Sequence, residues 1–259
     1  MNRLPDHGRI DCSLCYRGQH VDFNRTQRCH DNWRITANPL AWGNPNAEIV
    51  VLGFSKGPTQ ADALASSPHN EIAYKRGRKA VGKIFAHLGL IPNAASDRLE
   101  KHVSSLISDR QGRFHFGSLI RCTVEQFDTK KNQWQGSGGG MLDNFVATSF
   151  GKEIAGNCSK RFLSDLPDAT RLVVLFELGS KGNYVAAARS LIQSARGGLW
   201  KTINEVAYAD EKVTFVHVEH FASQGALLPN WLGENNHERA RLGVLAREAV
   251  ESALVFPSM

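Results

Sequence analysis

Four short apolar runs punctuate the chain: Glu48 to Phe54 (EIVVLGF), Phe114 to Cys122 (FHFGSLIRC), Arg171 to Leu178 (RLVVLFEL) and Val213 to Val218 (VTFVHV). Rich in β-branched and aromatic residues, they read as buried strands, the first ending at a glycine that feeds a turn. Between them apolar residues recur at spacings of three and four, as in Val81, Ile84, Phe85, Leu88, then Leu99, Val103, Leu106. Phe162, Leu163, Leu166 and Tyr184, Ala188, Leu191, Ile192 repeat the pattern, and Leu242, Leu245, Ala249, Val250, Ala253 give a final helix. Strands alternating with helices imply crossover connections. The expectation is one α/β domain over residues 1–259, built on a central, mainly parallel four-stranded sheet flanked by helices.

Three stretches break the pattern. Residues 1–47 are polar, without sustained period, so something other than an apolar core must hold this arm. Residues 123–157, with Lys130, Lys131, Trp134 and Ser137-Gly-Gly-Gly140, read as a long insertion between a strand and the next helix. Residues 224–237, centred on Trp231, read as an irregular loop.

With 259 residues, 42% hydrophobic and 22% charged, the chain buries a sizeable core and is not globally disordered. A net charge of +6 favours an acidic partner such as nucleic acid. No apolar run approaches the roughly 20 residues that cross a bilayer, and MNRLPDHGRIDC has no signal core. A soluble cytoplasmic protein is expected, with no membrane partner and no obligate protein partner. Its five cysteines, an odd number, then suit metal binding or free thiols better than disulfides.

The carboxyl ends of the expected strands carry polar turns: Gly53 to Gly57, Arg121-Cys122, Gly179-Ser180-Lys181 and Glu219-His220. Ligands bind at this edge of an α/β sheet. The glycine-bracketed first turn brings backbone N–H groups close to a ligand oxygen, with Lys56 as a point charge. It is not a Walker A loop, because Pro58 follows Gly57. Cys12 and Cys15 form a two-thiolate clip. Cys29 with His30, His20 or His7 would complete a local zinc knuckle; Cys122 and Cys158 would complete a distant four-thiolate set for a [4Fe-4S] cluster or structural zinc, stapling the arm to the domain.

This order of motifs resembles the iron-sulfur uracil-DNA glycosylases of families 4 and 5 over roughly residues 10–250. Gly53-Phe-Ser-Lys-Gly57 is similar to the family's first turn, Ser118-Leu-Ile-Arg-Cys122 to its second strand, Cys158 to its helix-opening cysteine, and His220-Phe-Ala-Ser223 to its histidine motif. The resemblance implies a DNA glycosylase with a [4Fe-4S] cluster on Cys12, Cys15, Cys122 and Cys158, structural zinc being the alternative. It implies base binding by Gly53, Phe54, Ser55 and Tyr74. His220, as a neutral donor, would face negative charge growing on the departing base. Lys56, Arg76, Lys181, Phe221 and Ser223 would contact DNA, Arg76 within the basic run Tyr74 to Lys79. Phe221 or Leu227 would wedge into the gap left by an everted nucleotide.

Two positions depart from the family. Phe54 stands where family 4 has a carboxylate that positions or activates water, leaving Asp62 as substitute. Ser118 replaces an asparagine that reads the pyrimidine edge, giving one hydroxyl for an amide. These changes, with the insertion, point to a modified pyrimidine such as a hypermodified cytosine of phage DNA and to a defence role; uracil excision in repair is the alternative. Two other readings are a non-catalytic nucleic-acid binding module of the same fold and a zinc-knuckle phosphohydrolase.

Overall fold

A computed structural model of the chain describes residues 3–16, 18–136, 141–179, 183–223 and 225–255. Its strands are β1 (Gly8–Arg9), β2 (Gln27–His30), β3 (Trp33–Thr36), β4 (Leu40–Gly43), β5 (Ile49–Gly53), β6 (Phe114–Ser118), β7 (Thr123–Asp128), β8 (Gln133–Gly136), β9 (Leu172–Phe176), β10 (Lys201–Asn204), β11 (Ala207–Ala209) and β12 (Thr214–Val218). Its helices are α1 (Pro58–Ala63), α2 (His69–Ile72), α3 (Arg78–His87), α4 (Ser96–Ser108), α5 (Met141–Ala147), α6 (Ser149–Leu163), α7 (Asn183–Arg196), α8 (Leu227–Trp231) and α9 (Ala240–Leu254). None of the described helices is long and apolar enough to cross a membrane.

The main sheet has eight strands rather than four, in the order β1-β4-β6-β5-β9-β12-β11-β10. The four apolar runs supply β6, β5, β9 and β12, which pair in parallel at its centre. Antiparallel strands too short to carry a period widen it on both sides. Side chains alternate between the two faces of the parallel strands. Ile49, Val51, Leu172, Val174, Val216 and Val218 join one core with α3, α4, α8 and α9. Val50, Leu52, Val173, Leu175 and Phe215 join the other with α5, α6 and α7. A sheet covered on both faces needs strands apolar throughout, which is why these four were legible.

The arm and the insertion are not irregular. They share a second, antiparallel sheet, β2-β3-β7-β8. Its hairpins turn at Asp31 (φ +50°) and Asn132 (φ +50°), residue types that tolerate the left-handed region. Trp33, Ile35 and Val124 bury against the second core, Trp33 meeting Phe145 with ring centroids 4.9 Å apart. Arg34 makes paired hydrogen bonds to Glu125 (2.8 and 2.9 Å) and lies over Trp134; Arg28 pairs in the same way with Glu153, joining β2 to α6. The segment read as a loop around Trp231 contains α8, and Trp231 is fully buried.

Candidate functional site

A cavity of about 750 Å³ opens at the carboxyl edge of the parallel strands. Register explains its walls. Gly53 and Ser118 are partners across β5 and β6, and Phe176 and Val218 are partners across β9 and β12, so the residues that follow come off the sheet side by side. Gly53, Phe54, Ser55, Ser118, Tyr74, Arg76, His220, Phe221 and Ser223 all line the cavity. The Ser55 and Tyr74 hydroxyl oxygens are buried without a protein partner. Tyr74 (φ +52°) and Arg76 (φ +64°) sit in strained turn geometry at its rim, and Arg76 is exposed.

His220 is fixed by its neighbours. The Ala222 N–H donates to its Nδ1 (3.1 Å), so the neutral ring carries its proton on Nε2. Burial lowers its pKa, opposed by the Glu219 carboxylate. Glu219, itself buried, accepts the His220 N–H (3.0 Å) and pairs with Arg239 (2.6 Å), which tethers the turn to the start of α9.

Other residues are placed differently from what their expected roles require. Asp62 is exposed on α1 and does not line the cavity. Lys56 is only 2% exposed: its ammonium donates to the Arg121 carbonyl beneath the turn, leaving it buried rather than at a phosphate. Burial lowers its pKa to about 8, the Cys122 thiol acting in the opposite sense. Phe221 is packed edge-on against Tyr74 (5.2 Å) and Phe176 (5.3 Å), while a Cβ on Gly77 would meet its ring at 2.5 Å. That packing removes it as a wedge; Leu227, 45% exposed at the cavity wall, presents the free apolar side chain. Lys181 lies outside the described residues.

Four cysteines gather behind the first turn. Cys15, Cys122 and Cys158 are buried and Cys12 partly so, all unpaired. Cys158 lies well inside α6, not at its start. Burial raises the pKa of Cys15 to about 11 and raises those of Cys122 and Cys158, and Cys158 senses charge on the other three. The Tyr16 hydroxyl donates to Cys122 Sγ (3.6 Å), the Asn157 amide to Cys15 Sγ (3.6 Å) and the Arg161 guanidinium to Cys12 Sγ (3.4 Å). Arg121 is also buried, 1% exposed, with no hydrogen-bond partner for its guanidinium nitrogens. Its charge and that of Lys56 act on Cys158. Neutral thiols do not need such donors and cations; thiolates around a metal centre do, and a metal would draw off the protons that burial retains. These donors and cations would stabilise thiolates at the four positions. Among the described residues no group of three or more His, Cys, Asp or Glu stands ready to hold a single metal ion. Cys29 is exposed on β2, apart from this set.

The sequence reading missed Glu177, Tyr184, Arg239, Met141 and Leu142, all of which line the cavity. For Glu177 the signal was present: a carboxylate at the end of an otherwise apolar run, immediately before Leu178-Gly179. No protein-family model matches the chain, and no curated protein matches it.

Proposed function

We propose that the chain is a DNA glycosylase of the uracil-DNA glycosylase type, which everts a uracil or modified pyrimidine and hydrolyses its N-glycosidic bond. The cavity carries this reading: one concave site brings together the first turn, Ser118 and a tautomerically fixed His220. Its 750 Å³ falls within the range of about 300–1,000 Å³ typical of sites for drug-sized ligands, so a pyrimidine with a bulky substituent fits. Together with Phe54 and Ser118 in place of the family's carboxylate and asparagine, this room supports a modified base, such as a hypermodified cytosine of phage DNA, and with it a defence role.

In this reading the everted base lies along Phe54, with the unpartnered Ser55 and Tyr74 hydroxyls and that of Ser118 available to its polar edge. As the bond from the sugar C1′ to the base breaks, its electron pair leaves with the base. The His220 Nε2–H donates to a carbonyl oxygen of the base and stabilises that charge away from water. Leu227 fills the gap in the duplex, and Arg76 meets the backbone. Cys12, Cys15, Cys122 and Cys158 would hold a [4Fe-4S] cluster, or zinc in its place, whose contribution is structural because hydrolysis transfers no electrons.

The test is a panel of duplexes carrying uracil, hypoxanthine, hydroxymethylcytosine and glucosylated cytosine, assayed for alkali-labile abasic sites. Abasic product is expected, most from the bulkiest pyrimidine. His220→Ala is expected to lower the rate about 10²–10³-fold while DNA binding persists. Binding without product from any duplex would leave a non-catalytic binding module instead.

A further inference from the structure

We infer that Glu177 activates the attacking water, a role that rests on the glycosylase reading above. Among the described residues lining the cavity it is the sole carboxylate, sharing that space with His220. Its backbone adopts φ +121°, a conformation L-residues rarely take. Such strain persists only where neighbours enforce it, and here they do. The Glu177 N–H donates to the Val218 carbonyl (2.9 Å), and the Glu177 carbonyl accepts from Nδ1–H of the buried His217 (3.2 Å). That tautomer is set in turn by the Tyr208 hydroxyl, which donates to His217 Nε2 (3.2 Å). The carboxylate accepts the Gly179 N–H (3.2 Å).

Three side chains on three elements face this carboxylate: Arg239 before α9, Asp143 on α5 and Tyr184 on α7, whose buried hydroxyl has no protein partner. Burial raises the Glu177 pKa, and Asp143 adds to the rise; the Gly179 and Leu178 amides and Arg239 oppose it. A carboxylate so placed is a stronger base than a solvated one. The water oxygen bonds to C1′ as the bond from C1′ to the base breaks. The water proton passes to the Glu177 carboxylate, and the bonding pair departs with the base beside His220. Glu177 then releases its proton to solvent, and the base takes one up.

The experiment compares wild type with Glu177→Gln and Glu177→Asp, on the duplex of the panel that wild type cleaves best, by single-turnover abasic-site formation. Wild type is expected to lose rate as pH falls, because protonated Glu177 accepts no proton. Glu177→Gln is expected to lose about 10²–10⁴-fold, to bind DNA as before and to lack the acid limb, with Glu177→Asp between the two. A Gln variant within about threefold of wild type, acid limb intact, overturns the inference and leaves the glycosylase reading standing. Wild type inactive on every duplex overturns both. Should the Gln variant fold poorly, Glu177→Gly, which suits the positive φ, replaces it: rate restored by added formate supports the role, and no restoration overturns it.

Discussion

Wholly buried, His217 holds a neutral ring between the Tyr208 hydroxyl and the Glu177 carbonyl. Burial lowers its pKa from 6.5 to about 4. The unfolded chain therefore takes up the proton first as pH drops. Stability from this ring is fully present above pH 6.5 and is lost as pH falls to about 4, a total of about 3 kcal/mol. His217→Asn keeps a donor for the Glu177 carbonyl but does not titrate. Urea unfolding at neutral and mildly acidic pH is expected to show a smaller acid loss in the variant than in wild type; equal losses would place the titration elsewhere. The same neighbourhood marks the limit of reading by composition. His220 and the first turn were legible because they follow apolar runs on one sheet edge, whereas Ser118 was singled out only through the family resemblance. Glu177, the one carboxylate in the run Arg171 to Leu178, was passed over as part of it, and the inward turn of Lys56 depended on an Arg121 carbonyl that no local pattern announces.

The crossing of α3 and α4 illustrates how a local preference is overruled by packing. Gly82 lies in the middle of α3, where alanine normally gains about 1 kcal/mol of helix propensity. A Cβ there would stand 2.7 Å from Leu99 Cβ and 3.1 Å from the Leu99 carbonyl oxygen, with backbone that cannot rotate away. Overpacking of this kind costs about 1–3 kcal/mol, so Gly82→Ala is expected to destabilise, seen as a lower urea midpoint at unchanged slope. A midpoint at or above that of wild type would show that the helices can separate cheaply. The long helices and parallel strands were readable because each buries a periodic face. β2, β3, β7 and β8 were not: each is at most six residues long, and the two hairpins they form meet only through β3 and β7, far apart in sequence. Asp31-Asn32 was the available sign of a hairpin. Trp231 was misread because the Gly, Pro and Asn around it signal a loop, whereas it is the tryptophan that α8 carries into the core.

Across the molecule, the four cysteines come from the arm, from α6 and from the segment between β6 and β7. If these thiols hold one inorganic centre, single replacement of Cys12, Cys15, Cys122 or Cys158 by serine is expected to lower bound iron and sulfide, bleach the visible absorbance and lower the melting temperature together. Cys29→Ser is expected to match wild type in all three. Zinc in place of iron would select the alternative metal, and undiminished metal in the Cys122 or Cys158 variants would dissolve the set. In the sequence, spacing supported only the Cys12-Cys15 clip, and the set of four followed from the family resemblance; the burial of Cys15, Cys122 and Cys158 and the donors to Cys12, Cys15 and Cys122 depend on the tertiary fold.

The small sheet also has a consequence during synthesis. β3 finds its outer partner only in β7, and β1 and β4 reach the main sheet only through β6. A ribosome delivers the amino-terminal strands first, so they leave the exit tunnel long before their partners. A nascent chain stalled short of Phe114 therefore displays unpaired strand edges, the surfaces on which neighbouring polypeptides aggregate.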